Sequence, residues 1–166
     1  MVTAEQVKAL REQTGISIME CKKALEEAGG DPSKALVILK KRGAMFAAKK
    51  ADRTLKAGVV QAYVHASKDV GAMVALSCET DFVAKNPEFV SLAYDIAMHT
   101  AALSPAVISR EGAKPQAPDE GTVLLEQTFV KDPTMTVKDL LDQATQKFGE
   151  KIEITDMIRF SFRRGV

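Results

Sequence analysis

The sequence predicts an α+β fold, with an N-terminal unit of three short helices followed by a core in which helices cover a three-stranded antiparallel sheet. Two observations carry this prediction. Helix start and stop signals bracket apolar residues at helical spacing through the first fifty residues, and from residue 59 onward stretches of period-two alternation take turns with further helical patterns. At 166 residues the chain slightly exceeds one ~150-residue domain, which leaves room for a small unit beside a larger one.

Thr3 with Gln6, and Ser17 with Glu20, have the capping-box spacing in which side chains satisfy backbone donors left free at a helix start. Asp31-Pro32 places a cap residue before a proline at the first helical position. Gly15, Gly29-Gly30 and Gly43 are expected as stops. The apolar faces are Val7 and Leu10, then Met19, Cys21, Leu25 and Ala28, then Ala35, Leu36, Ile38 and Leu39. This gives a three-helix unit over 1–45, near the lower size limit for a self-standing core. The Ala/Lys-rich stretch that follows lacks a broad apolar face and reads as a helical linker over 46–58.

In the α+β core domain expected over 59–166, Val60, Ala62, Val64 and Ala66 alternate with Gln61, Tyr63 and His65. After the interruption SKDVG, Ala72, Val74, Leu76 and Cys78 alternate with Met73, Ala75 and Ser77, which predicts a hairpin. Asn86-Pro87 opens a helix to about Leu103, with Phe89, Ala93, Ile96, Ala97 and Ala101 on or beside one face and Ser104-Pro105 at its end. A Pro- and Gly-rich loop, SREGAKPQAPDEGT, follows. Thr136 with Asp139 caps a helix running to Phe148, which Gly149 stops, and Ile158, Phe160 and Phe162 alternate with Arg159, Ser161 and Arg163 in a third strand.

Composition excludes several classes. Forty-six percent apolar against 27% charged residues is enough to bury a core. No run approaches the ~18 apolar residues of a membrane span, and MVTAEQVKAL lacks the layout of a signal peptide, so a soluble intracellular chain without membrane contact is expected. Two cysteines and two histidines offer neither a disulfide framework nor a soft-metal cluster, and there is no GxxxxGK[ST] phosphate loop. Neither a metal nor another cofactor is expected. The net charge of +1 conceals an asymmetry, since residues 1–58 hold twelve basic and seven acidic groups while the remainder holds eleven and fifteen. Seven Phe, two Tyr and no Trp make any exposed aromatic worth explaining.

Three features invite chemistry. The Asp81-Phe82 pair in CETDFVAKNPEF sits between a strand and a helix. It is either a projecting tip whose ring fills a partner's pocket, or a capped turn whose ring folds back into the core. Lys40, Lys41, Arg42, Lys49, Lys50, Arg53 and Lys56 could neutralise phosphates of an RNA or form a solvated helix face, and only Phe46 is interleaved with them for stacking. Cys78 and His99 could pair as a thiol–imidazole nucleophile, but both fall on apolar stripes, as does Cys21, where core packing is the simpler reading.

On longer motifs the chain resembles elongation factor Ts, the guanine-nucleotide exchange factor of elongation factor Tu. LREQTGISIMECKKALEEAGGDPSKALVILKKRGAMFAAKKADR is similar to the family's N-terminal signature LRxxTGxxxMxCKKAL, GDxxKAxxxLrkxG and AxKKAxR, and CETDFVAKNPEF to its second signature. AMHTAALSP, LLEQTFVKDPTMTV, FGEKIEI and the closing RF resemble later blocks in family order. Between Ser109 and Leu124 the chain carries only REGAKPQAPDEGTV, where family members usually have a longer, mainly helical segment. With one core unit it resembles the short, single-core form, in which a homodimer supplies the second core half.

The resemblance implies roles by motif position. The first three helices would form a ubiquitin-associated-like domain that leans on the nucleotide domain of elongation factor Tu through Ile18, Met19 and Lys22. Asp81 and Phe82 would be an intruding tip near that partner's magnesium site, held in shape by Thr80 and Val83. Phe148 and Gly149 would press near its phosphate loop, Phe148 standing where the family usually has an aliphatic residue. The implied activity is exchange by protein–protein binding rather than catalysis, in a bacterial cytoplasm or an organellar matrix, with no direct contact to nucleic acid. An RNA-associated helical adaptor without exchange activity is the alternative.

Overall fold

The computed structural model describes residues 2–111 and 121–162. Among these residues are six α-helices and a three-stranded antiparallel sheet: α1 Ala4–Thr14, α2 Ile18–Glu27, α3 Pro32–Lys49, β1 Ala57–Val64, β2 Val70–Cys78, α4 Asp81–Ala84, α5 Pro87–Leu103, α6 Val137–Phe148 and β3 Glu153–Ser161, in the order β1-β2-β3 across the sheet. The caps explain most boundaries. Thr3 and Thr136 close full capping boxes with Gln6 and Asp139, Asp31 accepts from the N–H groups of Ser33 and Lys34, and Asn86 accepts from Glu88. Each such cap is worth about 1 kcal/mol relative to alanine. Gly15 and Gly149 end α1 and α6 in the left-handed region, where a Cβ would be strained.

Gly43 departs from expectation. It lies inside α3, which continues to Lys49, so the predicted stop is not one. The residue is buried against α6, and a Cβ there would sit 3.2 Å from Gln146 Oε1 and 3.5 Å from the carbonyl oxygen of Asp142. The glycine serves close approach of two helices, and their packing offsets its poor helix propensity. The helical part of the 46–58 stretch is therefore the end of α3, and β1 begins at Ala57.

The apolar residues form two clusters. Val7, Leu10, Ile16, Cys21, Ala24, Leu25, Ala35 and Leu39 hold α1–α3 together, and Met19, expected on that face, is 63% exposed instead. The larger cluster lies between the sheet and α5 and α6, with Val74, Leu76, Phe89, Ile96, Val137 and Leu141 at its centre. Helix α6 serves both units. It packs on α3, Lys40 lies 2.7 Å from Asp139, and the Gln143 amide donates to the Thr14 carbonyl at 3.1 Å.

Alternation identifies the strands, but in β1 and β3 the more apolar set faces away from the helices. Val59, Gln61 and Tyr63 pair with Leu76, Val74 and Ala72 on the covered face, where Tyr63 meets Tyr94 of α5 edge to face. On the other face Val60, Val64, Met73, Ile158 and Phe160 are exposed, Phe160 by 67%. Ala62 pairs with Met73, Met73 with Ile158, and Gly71 with Phe160, so these side chains form one continuous patch across all three strands. A register shift between Ala75 and Leu76 lets Ile154 reach the core while Ile158 and Phe160 stay outside. Arg163, expected to continue the alternation, lies outside the described residues, as does much of the Pro- and Gly-rich loop.

His99 is fully buried on α5, with Nε2 2.9 Å from Gln127 Oε1 and Nδ1 accepting from the Val130 N–H at 3.2 Å. These partners require the neutral tautomer protonated at Nε2. Burial, opposed in part by the Gln127 bond, holds the imidazole below its ordinary value of 6.5. A depressed histidine pKa means that the unfolded chain takes up the proton first, so this contribution to stability is complete above 6.5 and is lost as pH falls below it. Urea melts are expected to show declining stability from pH 7.5 to 5.5. His99→Gln is expected to be about 1–3 kcal/mol less stable at pH 8 and to lack most of that slope.

Candidate functional site

The segment between β2 and α5 does what a tip requires. Thr80 is the cap of α4, its hydroxyl accepting from the Val83 N–H at 3.5 Å, and Val83 and Ala84 are buried. At about 100° per residue, burying the third and fourth residues of a four-residue helix turns the first and second outward. Asp81 is accordingly exposed, in a loose pair with Lys85 at 3.8 Å, and Phe82 is 84% exposed. The ring does not fold back into the core, and Thr80 rather than Asp81 supplies the cap.

Phe148 and Gly149 lie at the other end of the same neighbourhood. Gly149 is exposed, with open space where a Cβ would stand. Phe148 is half-buried, edge to face on Phe89 with centroids 5.9 Å apart, and the Lys147 ammonium lies 5.6 Å from its ring centre. It therefore offers a partner one edge rather than a projecting ring.

The two segments are tied together by side chains that local sequence reading passes over. One carboxylate oxygen of Glu150 accepts from the N–H groups of Glu79 and Thr80, both at 3.0 Å, and the other accepts from the Thr80 hydroxyl at 2.6 Å. In return the Glu79 carboxylate accepts from the Lys151 N–H at 2.7 Å, and the Lys50 ammonium lies 3.8 Å away. The hydrogen-bonded partners of the two glutamates are 70 or more residues apart in sequence, and the only local signal was that both glutamates fall inside the blocks CETDF and FGEKI.

The third set lies on α2. Ile18 and Met19 are 56% and 63% exposed in its first turn, and Lys22 pairs loosely with Glu26 at 3.8 Å. Ile18 and Lys22 line a shallow groove of about 440 Å³ shared with Val7 and Arg11 of α1.

The competing chemistries find less support. Burial pushes up the thiols of both Cys21 and Cys78, and the Glu150 charge pushes Cys78 further, although hydrogen bonds with the backbone of Thr80 and Ala84 act the other way. Both ring nitrogens of His99 are committed to Gln127 and Val130, so the pair cannot act as a thiol–imidazole nucleophile in this arrangement. In the basic run, Lys40 pairs with Asp139, Arg42 with Glu20 and Glu27, and Lys50 with Glu79. Among the described residues no group of three or more His, Cys, Asp or Glu is arranged to hold a metal ion, and no helix is long and apolar enough to cross a membrane.

Comparison with known proteins bears on the same residues. A family model described as Elongation factor TS matches residues 38–120, which include the tip. The chain is 42% identical to Elongation factor Ts of Carboxydothermus hydrogenoformans, with 100% of this chain and 91% of that protein covered. It is 43% identical to Elongation factor Ts of Acetivibrio thermocellus, covering 100% and 92%, and 43% identical to that of Thermodesulfovibrio yellowstonii, covering 96% and 95%.

Proposed function

The chain belongs to the elongation factor Ts family and is a translation elongation factor, and we propose that it acts by binding elongation factor Tu with GDP and promoting release of that nucleotide. The observation that carries this reading is Phe82, a phenylalanine held 84% in water on a short, capped helix whose next two residues are buried. An exposed ring on a rigid support is suited to entering a partner's pocket, because little freedom is lost on docking.

In this reading Phe82 and Asp81 enter the partner near its magnesium site, Thr80 and Val83 hold them, Gly149 and the edge of Phe148 press near its phosphate loop, and Ile18, Met19 and Lys22 lean on its nucleotide domain. A bound nucleoside diphosphate depends on backbone N–H groups around its phosphates and on a magnesium ion that demands near-octahedral geometry. Displacing one supporting helix by a fraction of an ångström to an ångström weakens that set together. Burying the Phe82 ring supplies about 2 kcal/mol, worth ~30-fold in rate if all of it goes into that distortion. By linkage the nucleotide must in turn weaken binding of this chain, so entry of GTP or GDP ejects it. The nucleotide equilibrium of the partner alone is unchanged.

The same reading includes a second copy of this chain on the open face of the sheet. Val60, Val64, Met73, Ile158 and Phe160 make that face apolar, while Ala62, Gly71 and Ala75 keep its middle low, a shape that suits stacking of one sheet on another at about 10 Å. A two-fold pair uses one patch twice and covers it completely.

Two measurements test the reading. Release of a fluorescent GDP from elongation factor Tu is expected to accelerate with the wild-type chain, Phe82→Ala to lose at least ~10-fold of that acceleration, and Asp81→Ala to lose less. A folded chain that gives no acceleration contradicts the proposal. Sedimentation is expected to give twice the 18.0 kDa chain mass for the wild type and a single copy for Val60→Lys with Phe160→Lys; a monomeric wild type contradicts the paired sheets.

A further inference from the structure

We propose that Glu150 and Glu79 form a reciprocal brace that positions the Asp81–Phe82 tip against the Phe148–Gly149 turn, and that nucleotide release depends on this brace more than partner binding does. This role rests on the exchange function proposed above.

The strand ladder stops short of the place where the two segments must be held. Pairing of β2 with β3 ends at Ser77 and Glu153, so residues 78–80 and 149–152 lie beyond it. There the carboxylates take over. Glu150 accepts from the backbone of Glu79 and Thr80, and Glu79 accepts from the backbone of Lys151, so each segment's side chain fixes the other segment's main chain. Hydrogen bonds to an ionised acceptor are roughly twice as strong as neutral ones.

The brace also acts on the helix that carries Phe82. The Thr80 hydroxyl donates its one proton to Glu150 Oε1 at 2.6 Å, which turns its lone pairs toward the Val83 N–H and fixes it as the acceptor that caps α4. The end of α3 joins the same network. Lys50 lies 3.8 Å from Glu79, and the Lys151 ammonium donates to the Ala51 carbonyl at 2.8 Å. Through α3 the helix bearing Ile18, Met19 and Lys22 is referred to the same point. The Lys50 ammonium thus sets a positive charge beside one of the two carboxylates, while that of Lys151 pairs with Glu153 at 3.1 Å.

A wedge distorts its partner only if it is stiffer than what it displaces. If the tip yields, the ring still enters its pocket, but the contact energy relaxes the tip instead of the partner's nucleotide site. Loosening the brace should therefore appear in the rate of release from the complex rather than in the concentration needed to form it.

The test uses the full chain and elongation factor Tu loaded with a fluorescent GDP. Glu150→Ala is expected to lower the maximal release rate about 10-fold while shifting the half-saturating concentration by less than about 3-fold, and to speed hydrogen exchange at the Glu79 and Thr80 amides at least about 10-fold. Glu150→Gln, which keeps an acceptor oxygen for those amides, is expected to recover part of both. If Glu150→Ala fails to fold, Glu150→Gln and Glu79→Gln carry the same comparison. Amides that stay protected in the variants, or loosened amides with an unchanged maximal rate, overturn the proposal. A wild-type chain that accelerates nothing removes the exchange function and this role together, while faster exchange of the Glu79 and Thr80 amides in Glu150→Ala would still show the brace as a structural feature.

Discussion

The exchange activity proposed for this chain hangs on the reversal between β2 and α5. Strand β2 is buried along one face, and α5 must lie across that same face to cover it. The chain turns back in the few residues from Glu79 to Asn86, and within them Val83 and Ala84 go into the core. With helical geometry fixed at about 100° per residue, Asp81 and Phe82 have only the outward direction left. The exposure of the ring is thus a consequence of covering the sheet, and the tip is anchored to the core through Val83 and Ala84.

The same economy of covering shapes the rest. One face of the sheet is closed by α5 and α6, and the other is left apolar and open. Helix α6 is shared between the two apolar clusters, with Gly43 of α3 admitting it closely and Gln143 reaching the end of α1. A displacement of the first three helices would have to break the Lys40–Asp139 pair and the contacts of Lys50 and Lys151, so these helices and the tip are mechanically related. The acidic member of the Lys40 pair is itself held below its ordinary value, because burial, which opposes this, is outweighed by hydrogen bonds from Lys40 and Thr136.

What could be read from the sequence was local. Capping residues act within three or four positions, so Thr3, Asp31, Asn86 and Thr136 located their helices directly. The α+β class followed from the change of period. Gly43 was misleading because its local meaning, a helix stop, yields to a tertiary one, close approach of α6. Alternation in β1 and β3 marked strands without saying which set faces the helices, and the structure turns Val60, Ile158 and Phe160 outward. Phe82 was legible as a candidate, but its exposure needed the burial of Val83 to be known. Glu79 and Glu150 carried no local signal beyond falling inside the blocks CETDF and FGEKI, since a carboxylate that serves backbone more than seventy residues away looks like any surface glutamate.

The central claim is that the Phe82 ring, held outward by a buried support, is what elongation factor Tu receives, and only while its nucleotide is leaving or gone. The most direct measurement places a photoreactive phenylalanine analogue at position 82 and irradiates the chain with elongation factor Tu. Cross-linking is expected with nucleotide-free elongation factor Tu and is expected to fall sharply when GDP and magnesium are added in excess. No cross-link, or one that is indifferent to the nucleotide, would contradict the account.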